Sequence, residues 1–234
     1  MHMVFSGAPG TAKTTVARLF AQIMRENGIL SVGKLFEVGR ADLVGKYVGW
    51  TAQIVKNKFQ EAMGSVLFID EAYSLIDDKE CMYGDEALST IVAEMDNRRE
   101  DIVVIFAGYT EKMEELLRRN PGLRSRVAFH VPFPDYDQEE LFQILSFIAC
   151  KQTMTLDDCV RDKLIPIISS ASREPDFGNG RYMRNLFERA RMKQAGRLLA
   201  MDVDSVTNEQ VKTLIAEDFE APVATRKAVQ RIGF

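Results

Sequence analysis

The sequence predicts an α/β domain built on a covered parallel sheet, followed by an all-helical domain. Three observations carry that prediction. Short apolar runs, from "MVFS" near the start to "RVAFHVPF", alternate with helical patterns, and such alternation builds a sheet with helices on its faces. Several of the runs are continuous rather than alternating, as strands buried on both faces are. After "FPDYD" (Phe133 to Asp137) the strand-like runs stop and only helical patterns follow.

Taken in order, "MVFS" is the first strand and "GAPGTAKTT" (Gly7 to Thr15) the loop after it. Val16, Leu19, Phe20, Ile23 and Met24 then form the apolar stripe of an amphipathic helix, which Gly28 can end. "KLFEV" is the second strand, and "SVLFID" the third. Leu88, Ile91, Val92 and Met95 mark a further helix before the fourth strand, "DIVVIFAG". "RVAFHVPF" is the fifth. A boundary near Pro134 to Asp137 separates residues 1–136 from a helical domain over 137–221. The helical stretches are "QEELFQILSFIA", "DDCVRDKLIPII", "GRYMRNLFERARMKQAGRLLAMD" and "TNEQVKTLIAEDF". Asp137 and Thr207 have the chemistry of N-caps. Residues 222–234 read as a basic, frayed tail.

Composition excludes several classes. With 46% hydrophobic residues in 234, the chain can bury a core. A net charge of −4 argues against a broad nucleic-acid surface, which is usually basic. No apolar run approaches the ~20 residues of a membrane span. The start lacks the pattern of a signal peptide. Cys81, Cys150 and Cys159 are odd in number and form no C-x-x-C pair, so they read as free thiols in a reducing cytoplasm.

"GAPGTAKTT" matches the phosphate-binding pattern G-x-x-x-x-G-K-[ST], except that Ala12 replaces the second glycine. Such a loop turns backbone N–H groups and a helix N-terminus toward an anion. Gly7 and Gly10 supply unusual backbone angles, Lys13 a point charge for the β- and γ-phosphates, and Thr14 a hydroxyl for Mg²⁺. Ala12 lies on the run into the helix, where a negative φ would accommodate it. The expectation is crowding by one methyl, with nucleotide binding retained. "SVLFIDEA" adds an apolar strand ending in two carboxylates. Asp70 can hold Mg²⁺ through water, and Glu71 can activate a water. Phosphoryl transfer is mainly positioning and charge compensation, so it needs both.

"GAPGTAKTTVAR", "DLVGKYVGWTA", "GSVLFIDEAYSL", "VVIFAGYTEKM", "NPGLRSRVAFHVPFPDY" and "GNGRYMRNLFERARMKQAGRL" occur in this order. With them the chain resembles the AAA+ ATPases, and within these the CbbX/SpoVK-like (CfxQ) branch, over essentially its whole length. The branch includes red-type Rubisco activases, sporulation-associated ATPases and ATPases related to type VII secretion. The resemblance implies a P-loop NTPase sheet in the order 5-1-4-3-2, sandwiched by helices, with a C-terminal helical lid. It implies hydrolysis of ATP with Mg, by a homo-oligomer that is usually a hexameric ring. It places Gly7, Ala8, Pro9, Gly10, Thr11, Ala12, Lys13, Thr14, Thr15 and Asp70 at the nucleotide, with Thr14 and Asp70 at the metal. Glu71 matches the catalytic glutamate. Arg126 matches the arginine finger that enters a neighbour's site, with Arg124 a close second. Arg181 matches the lid arginine called sensor 2, and Arg184 is the fallback. Tyr109 stands near the place of the polar sensor 1, with Thr110 next to it. Family members usually carry a preceding helical segment, so the resemblance implies a shortened start.

Tyr47, Val48 and Gly49 resemble the aromatic-apolar-glycine signature of a pore loop. That points to a motor that remodels a protein client, as yet unidentified. The alternative for Tyr47 is a core aromatic in an ordinary β–α loop. Two other functions fit the same fold. A nucleic-acid loader would show salt-sensitive DNA binding. A nucleotide-gated scaffold would show little turnover.

Overall fold

The computed structural model describes residues 1–45, 47, 49–76, 82–174, 177–202 and 206–221. Val48, Cys81 and the tail over 222–234 lie outside them. The chain divides into two compact units, Met1–Asp135 and Tyr136–Phe234.

The first unit carries a five-stranded, all-parallel sheet made of β1 (Met3–Gly7), β2 (Leu35–Val38), β3 (Val66–Ile69), β4 (Val103–Gly108) and β5 (Phe129–Phe133). Its order is β2-β3-β4-β1-β5, the expected one read from the other edge. Burial explains the continuous runs. Val66, Phe68, Val103, Ile105 and Ala107 face one core, with Met3, Phe5, Ala17 and Ala21. Leu67, Ile69, Val104 and Phe106 face another, with Leu88, Ile91 and Met95 of α4 (Met82–Asn97). Successive side chains point to opposite faces, so a strand covered on both sides needs no polar residue. β5 is an edge strand, mostly exposed, and tolerates Pro132 for that reason.

α1 (Lys13–Glu26) departs from its expected stripe. Ala17, Ala21 and Met24 are buried, whereas Val16, Leu19 and Ile23 are exposed, Leu19 and Ile23 by more than half. Two alanines four residues apart let the helix approach the sheet closely. The helix follows directly on the loop, where Lys13 Nζ donates to the carbonyls of Gly7 and Ala8. Gly28 ends the helix as expected, at φ +72°, with its N–H on Arg25 O. The remaining helices of the unit are α2 (Arg40–Leu43), α3 (Trp50–Glu61), α5 (Thr110–Arg119) and α6 (Pro121–Arg126), with a 3₁₀ turn over Ala72–Leu75.

The second unit is built on α7 (Gln138–Lys151), α8 (Val160–Ala171) and α9 (Gly180–Leu199) around Leu141, Leu145, Leu164, Phe187 and Phe219. Asp137 and Thr207 cap α7 and α10 (Asn208–Lys212) through reciprocal capping boxes. The last predicted helical stretch stops early. Gln194, buried on α9, aims Nε2 at the carbonyls of Gln210, Val211 and Thr213, which ends α10 after five residues. Thr213–Leu214 (β7) then pairs in parallel with Thr155–Leu156 (β6), and a 3₁₀ turn follows over Ala216–Asp218. Asp218 accepts from Ile215 N–H and makes a bidentate pair with Arg197. Among the described residues no helix is long and apolar enough to cross a membrane.

Candidate active site

In a parallel sheet the carboxyl ends of all strands share one edge, and ligands of open α/β sheets bind there. Ile69 is level with Phe106, and Phe106 with Val4. The loop after β1, the carboxylates after β3 and Tyr109 after β4 therefore leave the sheet along the same edge.

The loop between β1 and α1 is glycine-dependent at two points. At Gly7 a Cβ would lie 2.2 Å from Phe133 O, so the end of β5 excludes any side chain. Gly10 has φ +75°. Thr11, buried, donates its hydroxyl to Ala8 O at 2.8 Å, and Lys13 Nζ donates to Gly7 O at 2.9 Å and Ala8 O at 2.8 Å. Ala12 is the correction to the sequence reading. Its φ is +66° and ψ 20°, the left-handed region, not the negative φ expected. The position keeps the backbone that a glycine there would adopt, at the steric cost of a Cβ. Ala12 provides no side-chain cap, and no acidic residue lies in the first turn of α1. The N-terminal N–H groups of a helix have no intrahelical partner, so this one can receive an anion.

Asp70 follows β3 and donates its N–H to Val38 O at 2.9 Å. Glu71 is exposed and also left-handed, at φ +48°, with its N–H on Asp70 Oδ1 at 3.0 Å. Its carbonyl accepts from Ser74 N–H, which closes the 3₁₀ turn. Tyr73 in that turn is buried, and its ring lies 6.0 Å from that of Tyr109 and 4.5 Å from Lys112 Nζ. Burial, then the negative charge of Glu71, pushes its phenol up to about 12. Gly108 exists for this packing: a Cβ there would meet the Tyr73 ring at 2.7 Å and Met113 Sδ at 2.8 Å. The sequence named Tyr109 but missed Tyr73, whose only signal was an aromatic two residues past Glu71.

The two arginines of α6 differ. Asn120 caps that helix, accepting from Leu123 N–H at 2.8 Å, and Pro121 occupies its first turn. Arg126 pairs with Asp96 of α4, whereas Arg124 is exposed and has no side-chain partner among the described residues. Arg181 and Arg184 are both exposed in the first turns of α9, in the second unit. Tyr47 is 62% exposed, which removes the core-aromatic alternative. Its ring makes an edge contact with Trp50 at 5.0 Å. Gly49 turns the loop at φ +81°, and at Gly45 a Cβ would sit 2.8 Å from Trp50 Cβ.

Thr14 and Asp70 offer a hydroxyl and a carboxylate, the hard oxygen donors that suit Mg²⁺. No cluster of three or more His, Cys, Asp or Glu that could hold a metal occurs among the described residues. This set fits an ion that takes the rest of its shell from phosphate and water, as Mg²⁺ does beside a nucleotide.

Residues 3–135 match the model of the ATPase family associated with various cellular activities (AAA), and residues 137–229 match the AAA lid domain. A CfxQ homolog of Cyanidium caldarium is 44% identical over 93% of this chain and 77% of its own. Protein CbbX of Cereibacter sphaeroides is 42% identical over 94% and 72%. The chloroplastic ribulose bisphosphate carboxylase/oxygenase activase of Cyanidioschyzon merolae is 44% identical over 93% and 75%. Among solved structures, the AAA domain of FIGL-1 in complex with ADP superposes with a TM-score of 0.63 at 21% identity, covering 93% of this chain and 69% of that one. That likeness concerns the fold alone.

Proposed function

Because the chain belongs to the AAA ATPase family, in its CbbX/CfxQ branch, we propose that it is a ring-forming motor that uses ATP hydrolysis to remodel a protein client. The observation that carries this reading is the shared sheet edge, where a loop shaped for phosphate and a pair of carboxylates come together. The family is one of ATPases, and the chain hydrolyses ATP.

The residues divide the work as follows. Backbone N–H groups of Gly10 to Thr15 cradle the phosphates, with Lys13 swinging from the loop carbonyls onto the β- and γ-oxygens. Thr14 and Asp70, the latter through water, are the residues that would hold Mg²⁺, which would supply charge compensation for the phosphates. Glu71 orients the attacking water and takes its proton. Tyr109 reports from the end of β4. Arg126 stabilises the transition state in a neighbouring subunit, and Arg181 reads the nucleotide from the lid. A site completed in trans calls for a heterologous interface, which closes into a ring, here a hexamer. Tyr47 grips the client at the pore. Rubisco is the first client to assay, since a relative's name carries that activity. The exposed, unbridged Cys150 and Cys159 support action in a reducing cytoplasm.

The test is Glu71→Gln, which keeps shape and removes the base. ATP should still bind, with turnover lowered roughly 10²-fold or more. Lys13→Ala should lose binding itself. Near-normal hydrolysis by the glutamine variant would reject the site.

A further inference from the structure

We propose that Asp96 is the positioning residue for Arg126, holding its guanidinium so that one edge stays open to a phosphate of the neighbouring subunit. This rests on the reading of Arg126 as a trans-acting residue. It adds a second residue that neither the motif nor the family resemblance assigned.

A guanidinium has five N–H groups in a rigid plane. Arg126 Nε donates to Asp96 Oδ1 at 2.8 Å, and Nη2 donates to Asp96 Oδ2. Nη1 donates to Gly122 O at 2.8 Å. Three donors are used within the subunit, and one N–H remains on each Nη. Each of these is a charged donor of the kind with which arginine meets phosphate oxygens. The ion pair thus leaves the reactive edge unspent while fixing where it points.

The holder is itself held. Asp96 sits in the last turn of α4, directly after Met95, which is fully buried, and Glu94, which is paired with Arg98 at 2.7 Å. Arg126 closes α6, whose start is fixed by the Asn120 cap and Pro121. Two anchored helices therefore set the guanidinium from both sides, as a preorganised site requires. The hydrogen bond from the Arg126 guanidinium holds the Asp96 carboxyl below its ordinary range. Arg124, two residues away on the same helix and without such a holder, marks the contrast. A long arginine with no partner samples many rotamers and delivers its charge imprecisely.

The experiment measures ATP turnover of Asp96→Ala, Asp96→Asn, Asp96→Glu and Arg126→Ala in the full chain, each alone and mixed with an equal amount of Glu71→Gln. Asp96→Ala and Asp96→Asn should turn over about tenfold more slowly or worse, the scale of a misplaced catalytic group. ATP binding, read by titration with a fluorescent nucleotide, should stay unchanged, and Asp96→Glu should recover most of the rate. The mixture is decisive. A Glu71→Gln subunit has no working base but an intact Arg126–Asp96 pair, so it should serve the sound site of an Asp96→Ala neighbour. Turnover should then exceed the sum of the two variants measured apart. A defect confined to the folding of the altered subunit would not be rescued in this way. Wild-type turnover by Asp96→Asn, which keeps the shape of the side chain, would overturn the proposal. So would a mixture that rescues Arg126→Ala but not Asp96→Ala. If Arg126→Ala alone hydrolyses ATP normally, the trans-acting reading itself fails and takes the proposal with it.

Discussion

Replacing Ala12 by glycine tests the loop at its odd residue, and the sign of the effect is the result. At φ +66° and ψ 20°, Ala12 holds its Cβ against the following carbonyl, which costs an L-residue about 1–2 kcal/mol. Glycine removes that cost but gives the unfolded chain more freedom, worth about 0.4–1 kcal/mol against folding. The difference favours Ala12→Gly by about 0–1.5 kcal/mol. For a protein of this size that is a rise of about 0–6 °C in melting temperature. Had Ala12 taken the negative φ expected of a residue entering a helix, only the second term would act, and the variant would melt about 1–4 °C lower. Ala12→Val extends the series the other way, because a β-branched residue in the left-handed region is a steric outlier. The order of stability should be glycine at or above alanine, and both above valine. Urea denaturation followed by circular dichroism without nucleotide measures it. ATP titration of the glycine variant should give an affinity equal to or better than that of the parent, because the backbone already has a glycine's conformation. A fall in stability with glycine would refute the left-handed assignment and the account of the loop built on it.

Three further outcomes follow from particular contacts. His2 is buried, its Nδ1 accepts from Val104 N–H at 3.1 Å, and burial is the main force pushing its pKa down to about 4. The unfolded imidazole titrates near 6.5 and takes up a proton that the folded one refuses. Stability is therefore complete above about pH 6.5 and declines toward pH 4, by at most about 3 kcal/mol. The gap between denaturant midpoints at pH 7 and pH 4.5 should be smaller for His2→Gln than for the parent, and equal gaps would contradict the assignment. Tyr47→Ala should cost less than about 1 kcal/mol, since the side chain is 62% exposed, while client remodelling is lost and ATP binding kept; early melting would reject the pore-loop reading. Gln194→Ala removes the amide whose two N–H groups serve the carbonyls at the end of α10 and should cost about 1–3 kcal/mol, with hydrogen exchange accelerated over residues 208–214; protection equal to the parent's would rule that role out.

The parts of the fold that were legible in the sequence are those fixed by neighbours in the chain. β3 and β4 are unbroken apolar runs because each lies between two cores. The N-caps at Asp137 and Thr207 were legible because a capping box closes within four residues. α10 was misread because its end is set by Gln194 from another helix. The phosphate loop was legible as residue types in order, yet the handedness at Ala12 was not, since alanine by itself favours a right-handed backbone.

The rotation of α1 shows where pattern reasoning loses its footing. A stripe of large apolar residues normally turns inward because burial of each contributes about 1.5–3 kcal/mol. In α1 the large residues Leu19 and Ile23 face out, and the small Ala17 and Ala21 face in. The helix cannot rotate to bury its larger residues without turning its first N–H groups away from the loop that leads into it. That constraint and the close approach of the helix to the sheet suit an inner face of small alanines. The same logic separates Glu71 from Asp96. A residue that touches substrate sits in a motif, because its neighbours in sequence build the site. One that acts through a partner thirty residues away, as Asp96 does through Arg126, leaves no local mark, and only the folded chain brings the two together.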